Sequence, residues 1–373
     1  MIYRSAAFAL ALCATAAPAI ADVTIGLAGP ITGSNAAIGA QLRAGAEAAI
    51  ADINRAGGVL GEKLVLDVQD DRCDQYMALP VARHFVAAQV PVVLGHYCSA
   101  DTLPASSIYA DAGIIQLAFS TADRITQQGF DGLFRIVPND ATQARALADY
   151  IARHYPHQRL ALIGERSFYA EGMVGDLRAQ LKGRQLVDVV LDRSVDAGQT
   201  AFGSLVDEVV SQHANVVVYV GYAPELGELM RQARAVGVKV PFVSTSHMSN
   251  HRIWDIAGEA AEGMAFTFLP DANQLPAAQD VVARLAAKGQ TADGFTLYAY
   301  AAVQLSAGAI LQAADLHHDR AVHPDYIAEQ LQYTGIPTVL GTVSFDEFGE
   351  RIDGTWQIHE WHNGRFLSAP GEG

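Results

Sequence analysis

The sequence predicts an α/β molecule of two doubly wound parallel-sheet lobes with a ligand cleft between them. Three observations carry the prediction. Short β-branched runs alternate with amphipathic stretches of helical period along the chain. These strand–helix units are too many for one compact sheet, and their succession breaks at Pro138-Asn139-Asp140. The chain has 373 residues, 50% hydrophobic and 17% charged, which is too apolar for disorder and long enough for about two domains of ~150 residues.

Residues 23–27 read as the first strand. A helix follows over 38–56, with Leu42, Ala46, Ala49, Ile50 and Ile53 on one face and Gly57-Gly58 to end it. Strands at 64–70, 90–94 and 114–117 alternate with helices at 77–88 and 101–112. After the break come a helix at 141–155, a strand at 160–163 and a helix at 172–181. Strands at 186–191, 216–220 and 242–244 are separated by helices at 202–212 and 225–236. Apolar runs without alternation mean strands buried on both faces. Beyond 263–269 lie a long apolar helix at 296–314, another at 324–332, and hairpin-like strands around 343–345 and 356–361. In such folds the ligand crevice lies at the C-terminal ends of the strands.

Residues 1–21 read as a signal peptide: a basic start at Arg4, a short apolar run over 6–17, and Ala19-Ile20-Ala21 as the cleavage site before Asp22. The apolar run is shorter than the ~20 residues of a membrane span, and no later segment is read as one. The expectation is an exported, soluble, periplasmic protein. Its net charge of −15 repels phosphate backbones and anionic lipid, which argues against nucleic acid as a partner. With Cys13 removed, Cys73 and Cys98 remain, an even number in an oxidising compartment. Both follow strand-like runs, and adjacent parallel strands would bring them within reach of one disulfide; two separate buried thiols are the alternative.

Enzymatic signatures are missing: there is no P-loop, no dinucleotide fingerprint, no H-E-x-x-H and no G-x-S-x-G. A Cys98 nucleophile beside His96 requires a free thiolate, which a disulfide removes. His317, His318 and His323 sit in a polar connection and read as solvated loop rather than metal ligands. The informative features are two hydroxyl-rich turns at strand ends, Gly95-His96-Tyr97-Cys98-Ser99 and Phe119-Ser120-Thr121. Taken singly, Ser99, Ser120 and Thr121 are ordinary N-caps. Taken as neighbours facing one cleft, their amides and hydroxyls form a cradle for a carboxylate.

These turns belong to a wider pattern. The stretches Gly29-Pro30-Ile31-Thr32-Gly33, Asp70-Asp71-Arg72-Cys73-Asp74, Tyr169-Ala170-Glu171-Gly172, Tyr222-Ala223-Pro224-Glu225 and Arg231-Gln232-Ala233-Arg234-Ala235 accompany them in order along the chain. Together they resemble the branched-chain amino acid (leucine/isoleucine/valine) binding proteins, periplasmic subunits of ABC importers with the type I periplasmic-binding-protein fold. The resemblance implies three interlobe crossovers, with lobe one at 22–139 plus 271–346 and lobe two at 140–270 plus 347–373. It also implies a Cys73–Cys98 bond, a ligand carboxylate on Ser99, Ser120 and Thr121, and closure of Tyr169 over the ligand from lobe two, with Tyr222 lining the same cleft. A monomeric receptor is expected, with an importer permease as partner and no cofactor.

Two departures bear on the ligand. Where leucine-binding members place a glutamate for the ligand's ammonium, this chain has Thr245-Ser246-His247-Met248. An ammonium would then need Glu165, Asp101 or a ring of carbonyls, because an unpaired buried cation is costly. The pocket wall also changes, with Ile38 at an aromatic position and Tyr97 at a leucine-like one. An amino acid of the branched-chain type is the first expectation. A small aromatic or aliphatic acid, or an amide, is the second. A Cys98 hydrolase and a sensor lobe for a separate membrane receptor are the other classes.

Overall fold

The computed structural model describes residues 22–182, 184, 187–369 and 371. The expected signal peptide at 1–21 lies outside these, as does Leu186 of one expected strand. The chain begins β1 (Val23–Gly29), α1 (Ala36–Arg55), β2 (Leu64–Asp70), α2 (Gln75–Ala87), β3 (Val92–Leu94), α3 (Ser99–Asp111), β4 (Ile115–Ala118) and β5 (Leu133–Arg135). These strands form a parallel sheet in the order β2-β1-β3-β4-β5.

The chain then passes to a second sheet through α4 (Asp140–His154), β6 (Arg159–Glu165), α5 (Phe168–Lys182), β7 (Asp188–Val195) and α6 (Gly203–Ser211). It continues with β8 (Val216–Val220), α7 (Ala223–Ala235), β9 (Phe242–Ser244), α8 (Arg252–Ala257) and β10 (Ala265–Phe268). A return passage carries α9 (Gln279–Ala287), α10 (Thr296–His317), α11 (Pro324–Tyr333) and the hairpin β11 (Ile336–Thr338)–β12 (Gly341–Val343). A last passage adds β13 (Gln357–His362) antiparallel to β10, and β14 (Arg365–Ser368) antiparallel to β13. The second sheet reads β14-β13-β10-β9-β8-β6-β7.

The helical stripe expected on α1 is buried at Leu42, Ala46, Ala49 and Ile50. It packs along α10, and Gly45 sets how closely: a Cβ there would lie 1.9 Å from the Thr296 carbonyl oxygen. The break at Pro138-Asn139-Asp140 is a helix start, where the Asn139 side chain accepts from the Thr142 N–H at 3.0 Å.

Several expectations need correction. α10, at 22 residues, is by length and composition a helix that could cross a membrane, yet it is mostly buried between α1 and α11 as a core helix. Burial on both faces holds for the inner strands and fails at the edges. β2 is half-buried, and β7 exposes Asp188, Asp192 and Arg193, charges that blunt an open sheet edge. β3 starts at Val92 because the Val90 N–H closes the end of α2 on the Phe85 carbonyl and Pro91 has no N–H. The strands leading to the cysteines are not adjacent, since β2 and β3 flank β1. The disulfide forms nonetheless across the end of β1, with Cα atoms 5.3 Å apart. The last strand-like segments belong to two different hairpins, one beside α10 and one on the second sheet.

Candidate functional site

The site is built on the ends of β3 and β4. Gly95 leaves β3 at φ +127°, where a Cβ would stand 2.1 Å from the Ala28 carbonyl oxygen, so the turn requires glycine. His96 then points inward, its Nδ1 2.7 Å from Asp71 Oδ2 and its Nε2 3.0 Å from the Tyr109 hydroxyl. Cys98 is tied to Cys73, and Ser99 opens α3 directly behind it. The neighbouring turn docks on this one: the Phe119 N–H donates to the His96 carbonyl at 3.2 Å and the Ala122 N–H to Ser99 Oγ at 3.4 Å. Ser99, Ser120 and Thr121 are thus brought to one place, all buried, and among the described residues Ser120 Oγ has no hydrogen-bond partner.

Arg135, at the end of β5, holds the second turn from behind. Its guanidinium is fully buried and donates to the carbonyls of Ser120 (3.1 Å) and Ala122 (2.9 Å), to Thr126 Oγ1 (2.9 Å) and to Glu350 (3.0 Å). Asp140 meets the same turn through its N–H, 2.8 Å from the Thr121 carbonyl. Asp140 is 1% exposed, and among the described residues its carboxyl oxygens have no partner apart from the Thr121 hydroxyl. Burial pushes it up to about 7, partly offset by the Thr121 hydroxyl and the Arg135 charge.

The second sheet supplies a cluster of rings. Tyr169 stands in the first turn of α5, Tyr222 caps α7, and Ser246 and His247 follow β9. The His247 ring lies 4.2 Å from that of Tyr169, 4.5 Å from Tyr222 and 5.4 Å from Tyr97, centroid to centroid. The Tyr222 hydroxyl reaches Cys98 Sγ at 3.5 Å, so the two halves touch across the cleft. The Tyr169 hydroxyl donates to Gln143 Oε1 on α4 at 3.5 Å, and Gln143 is anchored on Thr267. Phe295, just before α10, packs edge-on against Tyr97 at 5.2 Å.

The sequence-predicted site residues lie in or against this assembly, Ile38 through the core rather than the cleft. Ile38 is buried on the α1 stripe, in the hydrophobic core that also holds Tyr97 and Phe295, and so backs the cluster from behind. Asp140, Arg135, Gln143 and Phe295 were not anticipated. The only signal for the first two was a charge beside apolar strand residues and an acid at a helix start. The two carboxyls considered for an ammonium are held differently. Asp101 is pushed up to about 9 by burial and then by the neighbouring Asp71, which keeps it uncharged, and apart from Asp71 neither of its oxygens has a hydrogen-bond partner among the described residues. Glu165 Oε2 accepts from the Tyr222 N–H at 3.0 Å. Asp71, Cys73 and Asp101 are the one group near metal-ligating geometry among the described residues, and Cys73 is disulfide-bonded. An open groove of about 570 Å³ lies beside the cluster, lined by Gln41, Phe268, Asp271, Asp293, His359 and Trp361.

Residues 22–365 match the model of a family described as periplasmic binding protein. The chain is 36% identical to the Leu/Ile/Val/Thr-binding protein of Salmonella typhimurium, covering 93% of this chain and 94% of that one. It is 35% identical to the Leu/Ile/Val-binding protein of Citrobacter freundii, covering 93% of each. A solved ABC transporter substrate-binding protein from Desulfitobacterium hafniense in complex with Leu superposes with a TM-score of 0.77 at 28% identity, over 93% of this chain and 100% of that one.

Proposed function

The chain belongs to the periplasmic binding protein family, and from that we propose that it is the solute receptor of an ABC importer, taking a small amino acid between two closing lobes. One observation carries the reading. An unsatisfied hydroxyl turn and an almost unpartnered buried carboxyl, Asp140, meet at Thr121, which offers an anion cradle and a cation partner to the same ligand.

The ligand carboxylate rests on Ser99, Ser120 and Thr121 with the first amides of α3, where hydroxyls and helix N–H groups hold an anion directly and Arg135 stays behind the turn on its carbonyls. The ammonium takes Asp140, in place of the glutamate absent at Ser246. A cation beside Asp140 draws its raised carboxyl back toward the ionised form, so the charge is present when it is needed. Tyr169 and Tyr222 close from lobe two, and Tyr97, Phe295, Ser246 and His247 wall the pocket, with Ile38 behind. The lobes are taken as 22–139 plus 271–346 and 140–270 plus 347–373. The chain is proposed to be exported to the periplasm, cleaved after Ala21, and to work as a monomer that docks on a permease.

Isothermal calorimetry tests the reading. Asp140→Asn should weaken an amino acid by roughly 2–4 kcal/mol while leaving a carboxylic acid that lacks an ammonium nearly unaffected. The absence of any acid at Ser246-His247 favours a second reading, a small acid or amide as ligand. Tight binding of benzoate with no heat from any amino acid would select it.

A further inference from the structure

Beside the carboxylate cradle, the ring cluster contains one buried ring nitrogen without a partner, on His247, and a neighbouring hydroxyl, on Tyr97, for which the structure shows no hydrogen bond. His247 is 5% exposed and Tyr97 3%, and their rings meet edge to face. Phe295 backs Tyr97, while Tyr169 and Tyr222 enclose His247. Among the described residues Nδ1 of His247 has no hydrogen-bond partner, and no hydrogen bond is formed by the Tyr97 hydroxyl. Burial holds the imidazole pKa down to about 3, so the ring is neutral and cannot serve as an anion's counter-charge.

Buried polar atoms are almost always paired, and an unpaired one costs about 1–3 kcal/mol. An aliphatic side chain closing against this cluster would seal both atoms without partners. A hydroxyl or carboxamide satisfies them together, since each both donates and accepts and therefore suits either tautomer of His247.

Resting on the amino-acid reading above, we propose that the ligand's side chain carries a neutral hydrogen-bonding group, a hydroxyl or a carboxamide, selected by His247 with Tyr97. A site built to pair a polar group rejects the apolar isostere far more strongly than an apolar site rejects an extra methylene.

Threonine and valine differ by one hydroxyl in nearly the same volume, so calorimetry on the purified exported protein isolates this contact. The expected result is threonine at least tenfold tighter than valine. Tyr97→Phe and His247→Leu should each narrow that ratio, and His247→Gln, which keeps a hydrogen-bonding head, should retain more of it. Thermal melts confirm that each variant is folded. Valine binding as tightly as threonine or tighter overturns the side-chain assignment and leaves the amino-acid reading standing. Equal affinity is also what a bridging water satisfying both atoms would give. No heat from any amino acid overturns both.

Discussion

Buried beside Asp71 and with Asp74 nearby, Asp101 has its carboxyl pushed up to about 9, above the 3.8 it has in an unfolded chain. Between those values the unfolded state has released the proton and the folded state still binds it, so stability falls as pH rises. The contribution is fully favourable below about pH 4 and is lost on approach to pH 9. Asp101→Asn keeps the shape and removes the titration, so its denaturation midpoint should decline less from pH 5 to pH 8.5 than the wild type's. Identical slopes would mean that Asp101 ionises freely in the folded protein. The cradle allows a second test at the same scale. Ser99→Ala and Thr121→Ala each remove a hydroxyl facing a charged acceptor and should weaken the amino acid by roughly 1–3 kcal/mol in calorimetry. Unchanged affinity in both would move the carboxylate elsewhere.

At the level of elements, the Cys73–Cys98 bond closes a loop with a sequence separation of 25 and fixes the turn from which Ser99 projects. Replacing both cysteines by alanine should lower stability by roughly 3 kcal/mol, read from urea denaturation. A much smaller loss would mean that the His96–Asp71 and His96–Tyr109 contacts hold the turn unaided. These elements were legible in the sequence to different degrees, for physical reasons. The α1 stripe and the serine-threonine turns were readable because helical period and strand-to-helix turns are local patterns. Which strands neighbour one another was not, because β1 separates β2 from β3 only through tertiary pairing. Arg135 and Asp140 look like surface charges in a sequence. Only the fold shows that each is sealed beside the Ser120–Thr121 turn. Phe295 joins the site from a segment nearly two hundred residues from Tyr97, so no local pattern could place it.

Across the whole molecule, the passages between the sheets lie side by side. Trp356 Nε1 donates to the Asn139 carbonyl at 3.1 Å, and a Cβ on Gly354 would stand 2.9 Å from Pro138 Cγ, so the first and last passages are laced together. In the proposed receptor, lobes joined this way would rotate about the passages as rigid bodies and close on whatever both of them touch. A ligand favours the closed state only by the contacts it makes there and not in the open state. In the proposed receptor the first lobe supplies the carboxylate cradle in both states, and Asp140 stays with that cradle through its N–H bond to the Thr121 carbonyl, so the differential comes from the rest of lobe two, chiefly Tyr169 and Tyr222. Driving a population from mostly open to mostly closed takes ~5.5 kcal/mol of such differential affinity. Removing both rings should therefore separate binding from closure. In small-angle scattering the wild type should shrink in radius of gyration at saturating amino acid, at the mass of a monomer. The Tyr169→Ala, Tyr222→Ala double variant should still give a heat of binding, at higher ligand concentration, with most of the shrinkage gone. A wild type whose radius stays constant at saturation would show that lobe closure is not coupled to the ligand. A double variant that still closes fully would place the driving contacts elsewhere on lobe two, with His247 the first residue to test.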